Sequence, residues 1–224
     1  MYSIYRLHIN IENMSLVDIV GKCAAIATIG TFFAPVLICR DIIKNKNTKN
    51  IDPTPFVGGM AMSILMIKNG LLMNDPNIIP VNIFGFILNF IYFLVFYFYT
   101  ADSKPLFSML TKATLFTGVL WGYSTIEDEK LIEYRFGVIL TVLMLTLIGA
   151  PLFSLNDIIK NKDASMLPFP MISSGAFVGF LWLIYGLLID NIFIKVQNIV
   201  AVILCLIQLG LIFKYPKTES KKRD

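Results

Sequence analysis

Apolar residues run along this chain in long, nearly unbroken blocks. They do not form the 3.6-residue stripe of a helix at a water interface or the alternation of a half-buried strand. A helix that crosses a bilayer needs roughly 20 mostly apolar residues. Seven blocks reach or approach that length, at about 17–39, 54–71, 77–99, 106–123, 136–157, 168–189 and 193–213. The cleanest are "VNIFGFILNFIYFLVFYFY" and "IVAVILCLIQLGLIF". Polar residues interrupt the blocks singly. Lys112 makes the fourth block the weakest, and Lys68 lies near the end of the second, where a long side chain can snorkel to the headgroups. The connections are short and leave no room for a soluble domain. Residues 1–16 lack the apolar core and small-residue cleavage site of a signal peptide and read as an N-terminal tail.

Composition agrees with this pattern. The chain is 56% hydrophobic and 15% charged, against about 45–50% and about 25% in ordinary soluble domains. So little polar surface cannot cover a water-soluble globule, and lipid must solvate part of it. The net charge of +4 matters less than its placement. Arg40, Lys44, Lys46 and Lys49 follow span 1, Lys104 follows span 3, and Lys160 and Lys162 follow span 5. Lys214, Lys217, Lys221, Lys222 and Arg223 follow span 7, whereas the opposite side holds Arg6, Lys68, Lys130, Arg135, Lys195 and the acidic "EDEK". The positive-inside rule puts the N-terminus outside and the 214–224 tail in the cytosol. Asn13-Met-Ser15 is then a glycosylation sequon on the outer side, close against span 1.

One phrase occurs twice. "APVLICRDIIKNK" at 34–46 returns as "APLFSLNDIIKNK" at 150–162. The same shift carries Gly70 onto Gly186 and Asn82 onto Asn198, so spans 1, 2 and 3 match spans 5, 6 and 7. Span 4 has no counterpart. A unit of three spans reverses sidedness, yet "DIIKNK" is cytosolic both times, so an extra span must lie between the copies. The expected architecture is all-α and integral to the membrane. It has seven transmembrane helices, as two parallel three-helix repeats (17–99 and 136–213) joined by a linker helix (106–123), or 3+1+3.

The repeated residues resemble the SWEET sugar-transporter family over about 16–215. The resemblance rests on Pro35 in "FFAPVL", Pro55 in "DPTPF", Pro151 in "IGAPLF", Pro168 in "SMLPFP", "FLWLIYG" at 180–186, and the matched Asn82 and Asn198. The related PQ-loop transporters carry Pro-Gln in spans 1 and 5. Here Val36 and Leu152 follow the prolines.

The resemblance implies passive, bidirectional transport of mono- or disaccharides by alternating access. It also implies that Pro35, Pro55, Pro151 and Pro168 are hinges, because a proline inside a helix removes a hydrogen bond and loosens the turn before it. Pro55 and Pro168 alone would equally suit a first helical turn. Asn82 and Asn198 are implied to bind substrate, their carboxamides offering donors and acceptors to sugar hydroxyls. Taken singly, each asparagine would equally suit an interhelical hydrogen bond. Trp182 offers a face for the apolar side of a sugar ring, and Met66 stands at the matching place in the first repeat, where relatives often have Trp, Ser or Cys. Tyr185 and Asp190 resemble the family's outer gate, with Asn69 where Tyr is common.

Other chemistry is not expected. His8 is the only histidine, and Cys23, Cys39 and Cys205 fit no metal spacing. No phosphate loop or mid-span carboxylate pair occurs, so the reading includes no enzyme activity, cofactor, metal or nucleic acid. Asp41 and Asp157 are expected to pair with nearby Arg or Lys. The partners are sugar and the lipid bilayer, and a homo-oligomer stays open. A PQ-loop-type carrier of another solute, a non-transporting chaperone on the same scaffold and a seven-helix receptor are the alternatives. The receptor reading lacks Asp-Arg-Tyr after span 3 and Asn-Pro-x-x-Tyr in span 7. The plasma membrane is the expected location, with the Golgi open.

Overall fold

The structure, a computed structural model, describes residues 2–149, 152–165 and 167–216, with side chains described except at 2–15, 152–154, 156 and 157. Pro151 and the end of the basic tail lie outside the described residues, as do the side chains of His8, Asn13 and Asp157. The described residues form helices and no strands: α1 (Tyr2–Thr31), α2 (Val36–Asn45), α3 (Thr54–Met73), α4 (Ile78–Tyr99), α5 (Lys104–Ile126), α6 (Glu129–Gly149), α7 (Leu152–Asn161), α8 (Phe169–Leu188) and α9 (Ile192–Lys214). Among the described residues, six helical stretches are long and apolar enough to cross a membrane: Leu16–Asn45, Thr54–Met73, Ile78–Tyr99, Glu129–Gly149, Phe169–Leu188 and Ile192–Lys214. Their outward faces are greasy, Phe98 and Phe213 each being 74% exposed, as lipid contact requires.

Three boundaries differ from the sequence expectation. The stretch expected as a tail is helical from Tyr2, since no Pro or Gly interrupts residues 2–20. The first span is two helices, because Phe32–Pro35 leave the α-helical path. The expected fourth span is a helix, but α5 is not among the six, its apolar run being diluted by Lys112 and four threonines.

The repeat is written into the backbone. Lys46 and Lys162 end α2 and α7 with φ of 52° and 51°, and Asn74 and Asp190 follow α3 and α8 with φ of 52° and 54°. Asp75 N–H reaches Gly70 O at 2.9 Å, and Asn191 N–H reaches Gly186 O at 3.0 Å. Asp75 Oδ1 then accepts from the N–H groups of Asn77 and Ile78, and Asn191 Oδ1 from those of Phe193 and Ile194, so each next helix starts on a capping Asx. Within "DIIKNK", Ile42 and Ile158 are 0% and 2% exposed, while Ile43 and Ile159 are both 49% exposed. The first isoleucine packs inward and the second faces out.

Two compact units result, Ala25–Leu140 and Met1–Ala24 with Thr141–Asp224, and the two cuts fall at equivalent points of α1 and α6. In the first unit, Cys39 and Ile42 of α2 pack with Phe56, Val57 and Met60 of α3 and with Tyr92, Phe93 and Phe96 of α4. The α5–α6 turn of this unit is held by Glu127, which accepts from Tyr123 Oη at 2.7 Å and from Arg135 Nη1 at 2.6 Å. In the other unit, Leu155 and Ile158 of α7 pack with Ala164 and, from α9, Leu211 and Ile212.

Gly186 is needed for close approach. A Cβ there would lie 2.8 Å from Ile194 Cγ2 and 3.1 Å from the Lys195 backbone nitrogen. Gly210 of α9 faces open space. Gly186→Ala is therefore expected to destabilise the protein by about 1–3 kcal/mol through overpacking. Gly210→Ala should be neutral or stabilising by up to about 1 kcal/mol through helix propensity. Thermal melting of the two variants in detergent checks the contrast.

Candidate substrate site and proline breaks

Asn82 and Asn198 sit half-buried in the second turns of α4 and α9. Their carboxamides make the same bond: Asn82 Nδ2 donates to Ile78 O at 2.8 Å, and Asn198 Nδ2 donates to Ile194 O at 2.8 Å. Each bond satisfies one N–H within its own helix, and an asparagine has a second N–H and an oxygen besides. Matched positions on α3 and α8 carry small residues: Ser63, whose Oγ would lie 3.2 Å from a Cβ at Gly85, and Gly179, where a Cβ would lie 3.8 Å from Asn198 Oδ1. Met66 and Trp182 are half-buried at matched positions of α3 and α8. The Trp182 ring meets Tyr185 edge-on, with centroids 5.4 Å apart at 85°.

The expected gate residues are placed unequally. Tyr185 and Asn69, matched on α8 and α3, are both buried, at 2% and 8% exposure. Asn69 Nδ2 contacts Met73 Sδ at 3.3 Å. Asp190 lies in the α8–α9 turn, fully in reach of solvent, and accepts from Lys195 Nζ at 2.6 Å. That hydrogen bond, with the lysine charge behind it, holds the Asp190 carboxyl below the usual range. Asp41 pairs loosely with Arg40 at 3.6 Å on the surface.

The prolines mark where helices stop and start. Pro35 precedes α2 with φ −69° and ψ −9°. Lacking an N–H, it cannot donate to Thr31 O, which accepts from Ala34 N–H instead, and Val36 N–H turns to Phe33 O at 3.0 Å. The result is a tight turn with i→i+3 bonds between α1 and α2. In the second repeat α6 ends at Gly149 and α7 begins at Leu152, flanking Pro151. Pro55 and Pro168 differ in helix position. Pro168 is the N-cap of α8, as Pro53 is of α3, while Pro55 lies in the first turn of α3, where α8 has Pro170.

Sequence reading missed several of these residues. Asp75 and Asn191 could have been found by applying the repeat shift to helix-starting Asx residues. Lys68 has its Nζ 5.4 Å from the Trp121 ring centroid, a cation–π contact that steadies an ammonium within a span. Nothing in the sequence links those two residues.

Fold and site together define a multi-pass, all-helical membrane protein in which one sequence pattern occurs twice. The model of a family described as "sugar efflux transporter for intercellular exchange" matches residues 18–104 and, at the shift already seen, 134–220. The chain belongs to this family, the SWEET transporters. Similar proteins include sugar transporter SWEET1 of Drosophila pseudoobscura pseudoobscura, 29% identical with 89% of each chain covered. Sugar transporter SWEET1 of Caenorhabditis elegans is 30% identical over 92% of this chain and 68% of its own. A bidirectional sugar transporter, SWEET7b of Oryza sativa subsp. indica, is 27% identical over 92% of this chain and 80% of its own. The fold is that of a solved eukaryotic SWEET transporter, with a TM-score of 0.79 at 23% identity, covering 89% of this chain and 98% of the other.

Proposed function

We propose that this chain carries mono- or disaccharides across a membrane by facilitated diffusion, passively and in both directions, by alternating access. The observation that carries this reading is the pair Asn82 and Asn198, which repeat one side-chain geometry at matched positions of a twice-matched family unit. They are uncharged groups that can donate and accept, as sugar hydroxyls require. In this reading both carboxamides bind sugar hydroxyls, with Trp182 and Met66 beside the sugar. Tyr185, Asp190 and Asn69 form the outer gate, and Pro35, Pro55, Pro151 and Pro168 let the cytosolic half open and close.

The architecture proposed with it is 3+1+3, with residues 17–99 and 136–213 as the repeats and 106–123 within the linker helix. At 1.5 Å per residue, the 23 residues of α5 span about 35 Å, enough for the roughly 30 Å hydrocarbon core. The N-terminus lies outside and the basic C-terminus in the cytosol, at the plasma membrane.

Flux of radiolabelled glucose and trehalose into cells expressing the chain, with and without sodium or pH gradients, tests the reading. Equilibration without accumulation is expected. Accumulation above the external concentration that an uncoupler collapses would overturn passive transport.

The rate should also be flat between about pH 5.5 and 7.5. Glu127 at the α5–α6 turn has its carboxyl pulled from an ordinary 4.5 to about 2, first by the Tyr123 hydroxyl and then by Arg135. A depressed carboxyl contributes its full stability above its unfolded value and loses it only as pH falls through about 2, well below that window. Flux measured across the window checks this.

A further inference from the structure

Tyr92 belongs neither to the proposed sugar site nor to the prolines, yet it touches the surroundings of two of them. It is 3% exposed, in the second half of α4. Its hydroxyl donates to the Phe32 carbonyl at 2.8 Å, across 60 positions of sequence. That carbonyl is the one the Pro35 break sets free. In a continuous helix it would accept from Val36 N–H, which here turns to Phe33 O. A bare carbonyl inside a membrane is strongly unfavourable, so a partner from another helix is what makes the break tolerable.

Phe32 is held on its other side as well. Its ring lies against Gly85 of α4, where a Cβ would come within 2.8 Å of it. The Tyr92 ring packs on Phe56, with centroids 6.0 Å apart. Phe56 directly follows Pro55 in the first turn of α3. One side chain therefore joins the carbonyl ahead of Pro35 to the residue behind Pro55.

We propose that Tyr92 is a latch that couples the two proline hinges of the first repeat. It is a positioning residue that acts through the Pro35 break and does not touch the sugar, and the proposal rests on the alternating-access reading above. In the described state the hydroxyl holds the Phe32 carbonyl. Any state that straightens or re-angles the break returns that carbonyl to Val36 N–H and releases the hydroxyl. The second repeat has Gln208, 7% exposed, where the first has Tyr92, and Ile172 where the first has Phe56. An aromatic latch is therefore confined to one repeat. The two halves hinge with unequal stiffness, and the carrier is biased between its two openings.

Tyr92→Phe removes the hydroxyl and keeps the ring on Phe56. In proteoliposomes of known orientation, the KM for zero-trans glucose influx is compared with that for efflux. Losing one hydrogen bond that favours one state should shift the ratio of the two KM values by about fivefold, with the reconstituted amount unchanged. A parallel fall of Vmax in both directions at an unchanged KM ratio would reduce Tyr92 to a packing residue and overturn the proposal, as would wild-type constants throughout.

Hydrogen–deuterium exchange in nanodiscs reads the latch without any cargo. Exchange in the segment 28–40 should accelerate in Tyr92→Phe and stay unchanged in Gln208→Leu. Acceleration spread evenly over the chain, or none, would sink the latch. Local acceleration in a chain that moves no glucose would uphold the latch and count against the sugar reading, so the two failures stay distinct.

Discussion

Asn82→Ala and Asn198→Ala are each expected to remove most sugar flux while leaving the amount of protein at the membrane unchanged. The structure supplies the reason for the second half of that result. Among the described residues each carboxamide bonds only to a carbonyl of its own helix, Ile78 O or Ile194 O, so truncation strands no described partner on a neighbouring helix. An i−4 bond of this kind contributes little to helix stability and competes with the backbone ladder. The first half follows from what is lost toward a sugar. Two hydrogen bonds to an uncharged hydroxyl pair, at about 1 kcal/mol each, correspond to a tenfold to hundredfold effect on binding. Uptake per surface copy, measured with biotinylation of the same cells, reads both halves at once. Normal uptake in both variants would leave the asparagines as helix decoration and remove the proposed site.

The repeat was legible because it is carried by letters with strong local physics. Gly70 and Gly186 admit Ile78 and Ile194, and each phrase "DIIKNK" buries one isoleucine and exposes the next. Such features are decided within a few residues, so the sequence displays them. The split of the first span was half legible. Pro35 announces a defect, but the sequence does not say whether the helix kinks or stops. The outcome depends on whether the freed carbonyl finds a donor elsewhere. Its donor, Tyr92, is 60 residues away and binds a backbone oxygen that no letter encodes. The same limit applies to Lys68, steadied by Trp121 from another helix, and to the prolines of α3 and α8, whose helix positions emerge only from where each helix starts. Asn82 and Asn198 stood out in the sequence by the shift, their apolar surroundings and the family resemblance, whereas their shared bond to the preceding turn depends on where each helix starts.

Pro35→Ala is expected to give a protein that is at least as stable as the wild type and transports at least about tenfold more slowly. Alanine restores an N–H that can donate to Thr31 O, displacing the i→i+3 bond from Ala34 N–H that now occupies it. Val36 N–H can then return to Phe32 O, in competition with the Tyr92 hydroxyl. In an unkinked interior alanine is favoured over proline by about 3 kcal/mol. Spent on one conformation of a two-state break, that preference shifts populations by about two orders of magnitude. A carrier that must visit both conformations in every cycle is slowed by whichever it can no longer leave, however well it folds. Pro151→Ala should behave alike, since the repeat places it at the equivalent point between α6 and α7. Turnover per surface copy, set beside the melting temperature in detergent, separates the two effects. Wild-type turnover in a stable Pro35→Ala protein would show that the break shapes the resting fold and has no part in the transport cycle.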